Sequence, residues 1–599
     1  MEPSSSYSQL IEPVRPLEMQ PLLPPPQSNR ISFREKLARA NFLPRHLCLP
    51  SKAAVLILFW TLVVSAIYST AEESTMYAAG GVWRRDNIHT LSKRNYSTLI
   101  AHLMFTLILL FYPIAGFMAD VFCGRYKTVI TSLIFLLCAF ACFGLITILI
   151  FSHIIKSPFD NIQVRKSALF LTLSGSGMLF SIIGLSGYQA NFIQLGLDQL
   201  LEAPSEYLSL FVHWEQWFTE LGTLFPQPIF LLLNSCRGSV PIQQTVLSLL
   251  PFFFLTLALT LLVSYFARHW FYREPVRNNP YQMVFRVLNF TRKHKYPLQR
   301  SAFTYNENPS RIDYAKEKYG GPFTTEQVED VKTLFRILTV LLLIGPVFLL
   351  EVPLESTYNL FTDHTVSNNS HYHSDECSWR AVVQNVTMLR NLAAVISFPM
   401  YIWLIYTVLR RCIPRMLVRI WIGELLFLLG ILAMFLVDSS GHVRHYKHTH
   451  QSASCMFIQN NPNHSFYLDL PWAVSLLPAF LMQAAITIIV ATTFEFISAQ
   501  SPHSMKGLLV GMFYAIRGTF KFLGAISILP FSMRTIWASD YMTEHLPAVT
   551  NCGFGYLLFN CAVGLLSLIL FTVAAKRYRY RERDDPPYDQ TIVESVWAS

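Results

Sequence analysis

About twelve apolar stretches run from Ala53 to Ala574, each near the ~20 residues that a helix needs to cross ~30 Å of hydrocarbon. The expected fold is an all-α polytopic membrane protein of about twelve transmembrane helices, with the lipid bilayer as its main partner. Hydrophobic residues make up 52% of the 599 and charged ones only 14%, too little polar surface to coat a water-soluble globule. That excludes a soluble enzyme, and no enzymatic activity is expected. A formal charge of +10 could suit a nucleic-acid binder, but the basic residues gather in alternate loops instead of on one face or arm. Membrane topology explains them, and no nucleic-acid partner is expected.

The spans begin near Ala53, Ser97, Val129, Ala168, Tyr207 and Val246, then near Leu334, Thr387, Met416, Trp472, Leu508 and Phe554. Basic residues collect before the first span (Arg30 to Lys52), between Arg268 and Lys332, at Arg410, Arg411 and Arg415, and after the last span (Lys576 to Arg581). The positive-inside rule then places both termini in the cytosol. This divides the chain into a disordered cytosolic tail (1–52), an amino-terminal six-helix bundle (53–267), a cytosolic linker (268–332), a carboxy-terminal six-helix bundle (333–575) and a second cytosolic tail (576–599). A polar linker carrying Gly320-Gly321 between six spans and six is how the halves of a major-facilitator transporter are joined, and it implies alternating access around a central cavity. Residues 1–52 are rich in Pro and Ser and lack an apolar core, so no signal peptide is expected there.

Opposite the cytosolic loops lie three glycosylation sequons, at Asn95, Asn368 and Asn463, all on the face expected to be lumenal or extracellular. Cys377 and Cys455 stand in the two largest outer loops and can pair as a disulfide, with Cys236 and Cys552 as rival outer partners. His442, His445, His448 and His450 read as solvated loop residues, with pH sensing as their alternative. No Cys-x-x-Cys or His-x-x-x-His spacing suggests a metal, and neither a metal nor an organic cofactor is expected.

Near the tenth and eleventh spans the chain reads Phe494-Glu495-Phe496-Ile497-Ser498-Ala499-Gln500-Ser501-Pro502-His503-Ser504-Met505-Lys506. This resembles the L-E-F-x-Y-S-x-A-P-x-S-M-K signature of the proton-coupled oligopeptide transporters. Gly116 to Asp120 with Gly124 to Thr128 is similar to that family's G-x-L-A-D-x-x-x-G-R-Y-K-T loop. Gly187 to Asn191 with Gly196, Asp198 and Gln199 resembles its G-I-K-x-N and F-G-x-D-Q. Trp214 to Gly222 resembles its fifth-helix aromatic stretch, and Val328-Glu329-Asp330-Val331-Lys332 resembles the V-E-D-V-K of the animal peptide/histidine branch. The matches keep the family's order from Gly116 to Lys521. The resemblance implies the major-facilitator fold of two six-helix bundles and a symporter of short peptides or histidine, driven by protons.

The departures fall where chemistry is expected. The family's first helix carries E-x-x-E-R-F-x-Y-Y, whereas this chain reads Trp60-Thr61-Leu62-Val63-Val64-Ser65-Ala66-Ile67-Tyr68, without the two acids and the arginine. Gln189 stands for the family's fourth-helix Lys, and Ile486 for the tenth-helix Glu that meets a peptide's amino terminus. A fold can persist while its site changes.

New charges enter on the eleventh span, where Arg517 and Lys521 are four residues apart and share a helix face. A cation at a span's centre costs about 2.5–3.5 kcal/mol on insertion scales, so two on one stripe should face a polar cavity or acidic partners. One reading makes them ligands for a substrate carboxylate or other anion, together with Gln189 and Trp214; the other makes them a structural cluster paired to acids. The candidate acids, and candidate proton carriers, are Glu351 and Glu355, again four apart, with Glu215 and Glu220. Pro353 can alternatively mark an outer helix end that leaves Glu351 and Glu355 solvated. Asp120 and Arg125 read as conformational latches, and Glu424 as the partner of Arg415 or Arg419.

The amino-terminal tail carries Tyr7-Ser-Gln-Leu10, a tyrosine-based adaptor motif, and Glu18-Met-Gln-Pro-Leu22-Leu23, an acidic dileucine. An extended tail presents such motifs to clathrin adaptors through a few apolar side chains, which suggests an endosomal or lysosomal membrane, with the plasma membrane as the alternative. Two functions stay open: a secondary transporter of short peptides, histidine or similar amino-acid-like solutes, with or without proton coupling, and a non-transporting endolysosomal scaffold or sensor. Replacing Leu22 and Leu23 together by Ala should shift the protein from endolysosomes to the cell surface, as read by organelle co-staining; unchanged staining would reject the dileucine as the sorting signal.

Overall fold

The computed structural model describes residues 49–84, 109–151, 168–201, 203, 205–226, 242–273, 280–299, 309–366, 376–404, 414–449, 476–502, 505–527 and 554–580. The first set of helices is α1 (Lys52–Arg84), α2 (Tyr112–Met118), α3 (Arg125–Phe151), α4 (Ala168–Asp198), α5 (Ser205–Leu224) and α6 (Ile242–Phe266). A short helix α7 (Pro280–Lys293) lies in the linker. The second set is α8 (Thr325–Val366), α9 (Glu376–Trp403), α10 (Met416–Thr449), α11 (Leu476–Gln500), α12 (Lys506–Ser527) and α13 (Phe554–Arg577).

Eight of these helices are long and apolar enough to cross a membrane, and α2 and α9 hold shorter apolar segments. Neither α4 nor α5 is among them, because both bring polar side chains inward: Asn191, Gln194, Glu215 and Gln216 are buried. Outward positions show the reverse pattern, with Phe122, Leu255, Leu259, Leu342 and Leu436 exposed, as a surface in contact with lipid requires.

Within the first set α3 packs on α4 and α6, and α1 packs on α5; within the second, α10 packs on α11 and α13, and α8 on α12 and α13. The two sets meet where α2 and α4 touch α12, and where α5 touches α9 and α11. The α2–α12 crossing is closest. A Cβ built on Gly116 would collide with the carbonyl of Gly507, and one on Gly511 would stand 2.5 Å from the carbonyl oxygen of Tyr112. Small residues let two backbones approach where hydrophobic driving force between helices is weak.

At the end of the bundle that carries the linker, α2 leaves its helix through a π turn, Ala119–Cys123, closed by Gly124 at φ 78°. That left-handed backbone is what the Gly of the Gly124-Arg125-Tyr126 stretch supplies. In the linker, Val287, Ala315, Val328 and Val331 form a small core of their own. Asp313 caps the 3₁₀ turn Arg311–Ala315 by accepting from the backbone N–H and hydroxyl of Ser310, and it pairs with Lys316 and Lys332. Burial alone would raise the Asp313 carboxyl, but hydrogen bonds from Lys316, Ser310 and Lys332 outweigh it and hold the group well below the usual carboxylate range. Lys316 is correspondingly raised: its burial works against the charge, and Asp313 and Glu329 more than compensate.

The sequence reading starts the second bundle at residue 333, whereas α8 begins at Thr325. The reason is local. Thr324 and Gln327 exchange side-chain-to-backbone hydrogen bonds across the first turn, a capping box that starts the helix, and Val328 and Val331 then face the linker core. At its other end α8 runs through Pro353 to Val366, so Pro353 does not mark a helix end.

Gly116→Val should lower stability by about 1–3 kcal/mol through overpacking at the α2–α12 crossing. Gly144→Ala, at a position with open space around it, should hold the melting temperature or raise it. Thermal unfolding of the purified protein in detergent reads both.

Candidate functional site

Arg517 and Lys521 meet on one carboxylate. Arg517 Nη2 lies 3.1 Å from Glu351 Oε1, and Lys521 Nζ lies 2.8 Å from the same oxygen. The helical period puts the two cations on one face of α12, and the α8–α12 packing brings Glu351 to that face. Among the described residues, two positive charges share this one negative charge. The Arg517 guanidinium also stands over the Phe348 ring at 5.1 Å, an attractive cation–π placement. Arg517 Nε is buried without a hydrogen-bond partner.

Tyrosines from several helices line the same region. Tyr514 of α12 packs edge-on to Tyr112 of α2, with centroids 4.9 Å apart, and lies within electrostatic range of Glu215, Arg517 and Tyr188. Arg517 is within electrostatic range of Tyr68. The Tyr112 hydroxyl donates to Gln189 Oε1 at 2.5 Å. Of the residues singled out by sequence, Arg517, Lys521, Glu351, Gln189 and Glu215 are thus drawn toward one central region shared by both bundles.

Glu215 is almost fully buried, with Oε1 accepting from Thr219 at 2.9 Å and Oε2 without a partner. Glu220, one turn along, accepts from Gln216 at 2.9 Å. Trp214 packs on Trp217 and Phe218 of its own helix. Its neighbour Trp217 makes one of the bridges between bundles, donating from Nε1 to the carbonyl of Val395 on α9.

At the linker end, Arg125 makes a bidentate pair with Asp198 at 2.7 and 2.8 Å and lies 3.6 Å from Asp120. Asp120 accepts from the backbone N–H of Leu508 at 3.1 Å, in the first turn of α12, and from the hydroxyl of Tyr281 at 3.1 Å. A carboxylate on a helix N-terminus is favoured by the unpaired amides and the helix dipole. The carboxylate therefore ties α2 to α12 and to the linker helix.

A second buried ionic group had no counterpart among the sequence-predicted sites. Arg419 Nη1 pairs with Glu495 Oε2 at 2.9 Å, Ser209 donates to Glu495 Oε1 at 3.0 Å, and His213 Nδ1 donates to the Ser209 carbonyl at 2.6 Å. His213 also lies against Tyr401 of α9. The available signal was Glu495 itself, a charged residue inside the quoted signature and within an apolar span. Glu424, expected to pair with Arg415 or Arg419, does neither: Arg419 turns to Glu495, and both Glu424 oxygens are buried without a partner.

The glycosylation candidates Asn95, Asn368 and Asn463, the sorting residues Tyr7, Leu10, Glu18, Leu22 and Leu23, and Cys455 lie outside the described residues, as do the side chains of Glu355 and Cys377. Among the described residues no group of three His, Cys, Asp or Glu side chains could hold a metal ion.

The family model described as POT family matches residues 126–539. The chain belongs to the POT family. It is 21% identical over 503 residues to mouse "Solute carrier family 15 member 3", a match that covers 79% of this chain and 83% of that relative. An auto-inhibited POT family peptide transporter superposes with a TM-score of 0.55 at 15% identity, covering 89% of this chain and 98% of the other. A POT family transporter in complex with 5-aminolevulinic acid gives 0.52 at 12% identity, with 88% and 97% covered. The fold is the major-facilitator arrangement of two six-helix bundles.

Within that family frame the altered positions have been repacked. Trp60 stacks on Phe271 at 5.3 Å, and Val64 and Ile486 are buried in the main core. Tyr68, the last residue of the first-helix stretch, keeps the family's tyrosine and stays close to Arg517. Sequence comparison alone showed the losses in that stretch and passed over this retained residue.

Glu351→Gln should cost about 3 kcal/mol, since it leaves two buried cations without a counter-charge. Lys521→Met should cost less, because Arg517 then keeps Glu351 to itself. Thermal unfolding in lipid nanodiscs checks the order; equal losses would mean that Glu351 is not the hub of the cluster.

Proposed function

We propose that this POT-family member is a secondary transporter that moves small carboxylate-bearing solutes, short peptides or histidine among them, by alternating access of its two bundles. The observation that carries this reading is the charge balance at Arg517, Lys521 and Glu351, two cations on one carboxylate. A solute carboxylate entering the centre finds one uncompensated positive charge and can compete with Glu351 for both cations. Gln189, held by Tyr112, and the aromatic face around Trp214 supply neutral contacts. That a family relative binds 5-aminolevulinic acid supports a small amino-acid-like solute here.

Protons enter through the same carboxylate. Protonating Glu351 frees Arg517 and Lys521 for the solute, and deprotonation returns them, so proton and solute bind the cluster together and Glu351 competes only with the solute carboxylate. Glu355, Glu215 and Glu220 are the further candidate carriers. Asp120 and Arg125 act as the latch, with the linker end and both termini cytosolic and the membrane endolysosomal. An acidic lumen then supplies protons for export to the cytosol. The alternative, a non-transporting endolysosomal scaffold or sensor, draws on the first helix, where apolar packing at Trp60 and Val64 replaces the family's charged positions.

The test is binding of histidine against histamine, which lacks the carboxylate, to purified protein by a scintillation proximity assay. Histidine should bind at least about tenfold more tightly, a difference of about 1.4 kcal/mol, and Lys521→Gln should erase the preference. Equal binding of the two ligands to wild-type protein would overturn the carboxylate assignment.

A further inference from the structure

Glu424 lies two turns into α10, 3% exposed, and neither of its carboxyl oxygens has a hydrogen-bond partner among the described residues. Its place in the α10–α13 seam follows from the contacts on either side. The Leu417 N–H donates to the Tyr580 hydroxyl, Trp421 Nε1 donates to Thr572 at 2.9 Å, and Gly564 faces Leu428 and Ile431. The antiparallel register between them sets Glu424 level with about Leu568 to Leu570, within a turn of Ser567. Ser567 is buried with an unpartnered hydroxyl, and Asn560, two turns further along the same face of α13, is buried with both polar atoms of its amide unpartnered. The seam therefore concentrates polar groups in a region otherwise built from leucine, isoleucine and phenylalanine.

Among the described residues no charge answers Glu424. On its own helix Arg419 is taken by Glu495, and Arg415 is exposed at the helix start. On α8, Glu351 faces Arg517 and Lys521, and Arg336 lies by Tyr578. From α11 the residue packed against the adjoining Gly423 is Ile489. On α13, Cys561 stands about two turns away, and Lys576 and Arg577 lie at the far terminus. An ionised carboxylate without counter-charge or donor is the costliest group a membrane interior can hold, and the neutral acid is the form that fits.

We propose that Glu424 is an intramembrane proton-binding site of the second bundle, separate from the Arg517–Lys521–Glu351 cluster. Its ligand is one proton from water, added to a carboxylate oxygen without any other bond changing. The site does not depend on the transporter reading, since a scaffold with this seam would hold the same proton.

Infrared difference spectroscopy of the full chain in lipid nanodiscs at neutral pH tests this through the carbonyl stretch of protonated carboxylic acids, identified by its shift on deuterium exchange. Glu424→Gln should lose one such band, Glu424→Asp should move it, and Glu351→Gln, which removes an ion-paired carboxylate, should leave it in place. Because Asp keeps an acid at the position, the assignment does not rest on one variant. A carbonyl region identical to wild type in both Glu424 variants would show an ionised side chain and overturn the proposal.

Discussion

A charge inside a bilayer has to be answered inside the protein, and this structure is organised around how that is done. Arg517 and Lys521 on α12 would each cost about 2.5–3.5 kcal/mol unpaired at the centre of a span. Glu351 on α8 answers both. Arg419 and Glu495 repeat the arrangement between α10 and α11, and Arg125 with Asp198 repeats it between α3 and α4. Each pair joins different helices, so the cost of an unpaired charge becomes a constraint on which helices must be neighbours.

The α2–α12 crossing adds a second constraint, one of distance. Glycines at 116, 507 and 511 bring the two backbones together, and only at that separation can Asp120 reach the amide of Leu508. The same carboxylate accepts from Tyr281 on the linker helix, so the contact between bundles and the position of the linker are read by one side chain. Any motion that parts the bundles at this end must break a carboxylate-to-helix contact. The proposed latch role of Asp120 rests on that contact.

Much of the fold was legible in the sequence because hydrophobic runs of bilayer length leave few alternatives, and the ordered motifs from Gly116 to Lys521 point to one family. Helical periodicity also put Arg517 and Lys521 on one face, and Glu351 among their acids. Periodicity says which side chains share a face of one helix, but not how that helix is rotated against its neighbours. For that reason Arg419 turned out to meet Glu495 in place of Glu424, and the proximity of Tyr68 to Arg517 went unread. The start of α8 at Thr325 was hidden in the same way: its first turns are polar, and their apolar residues pack on a linker core that only the folded chain assembles.

The central claim is that the cluster of two cations and one acid is a site for a moving solute. Uptake of labelled histidine and a labelled dipeptide into proteoliposomes, with and without an imposed proton gradient, tests it most directly. Accumulation should exceed that of empty liposomes and grow with the gradient. It should fall roughly tenfold or more when Arg517 and Lys521 are replaced by Gln, the loss of transition-state or ground-state binding worth at least about 1.4 kcal/mol. No uptake of either solute by protein shown to be folded and inserted would contradict the account.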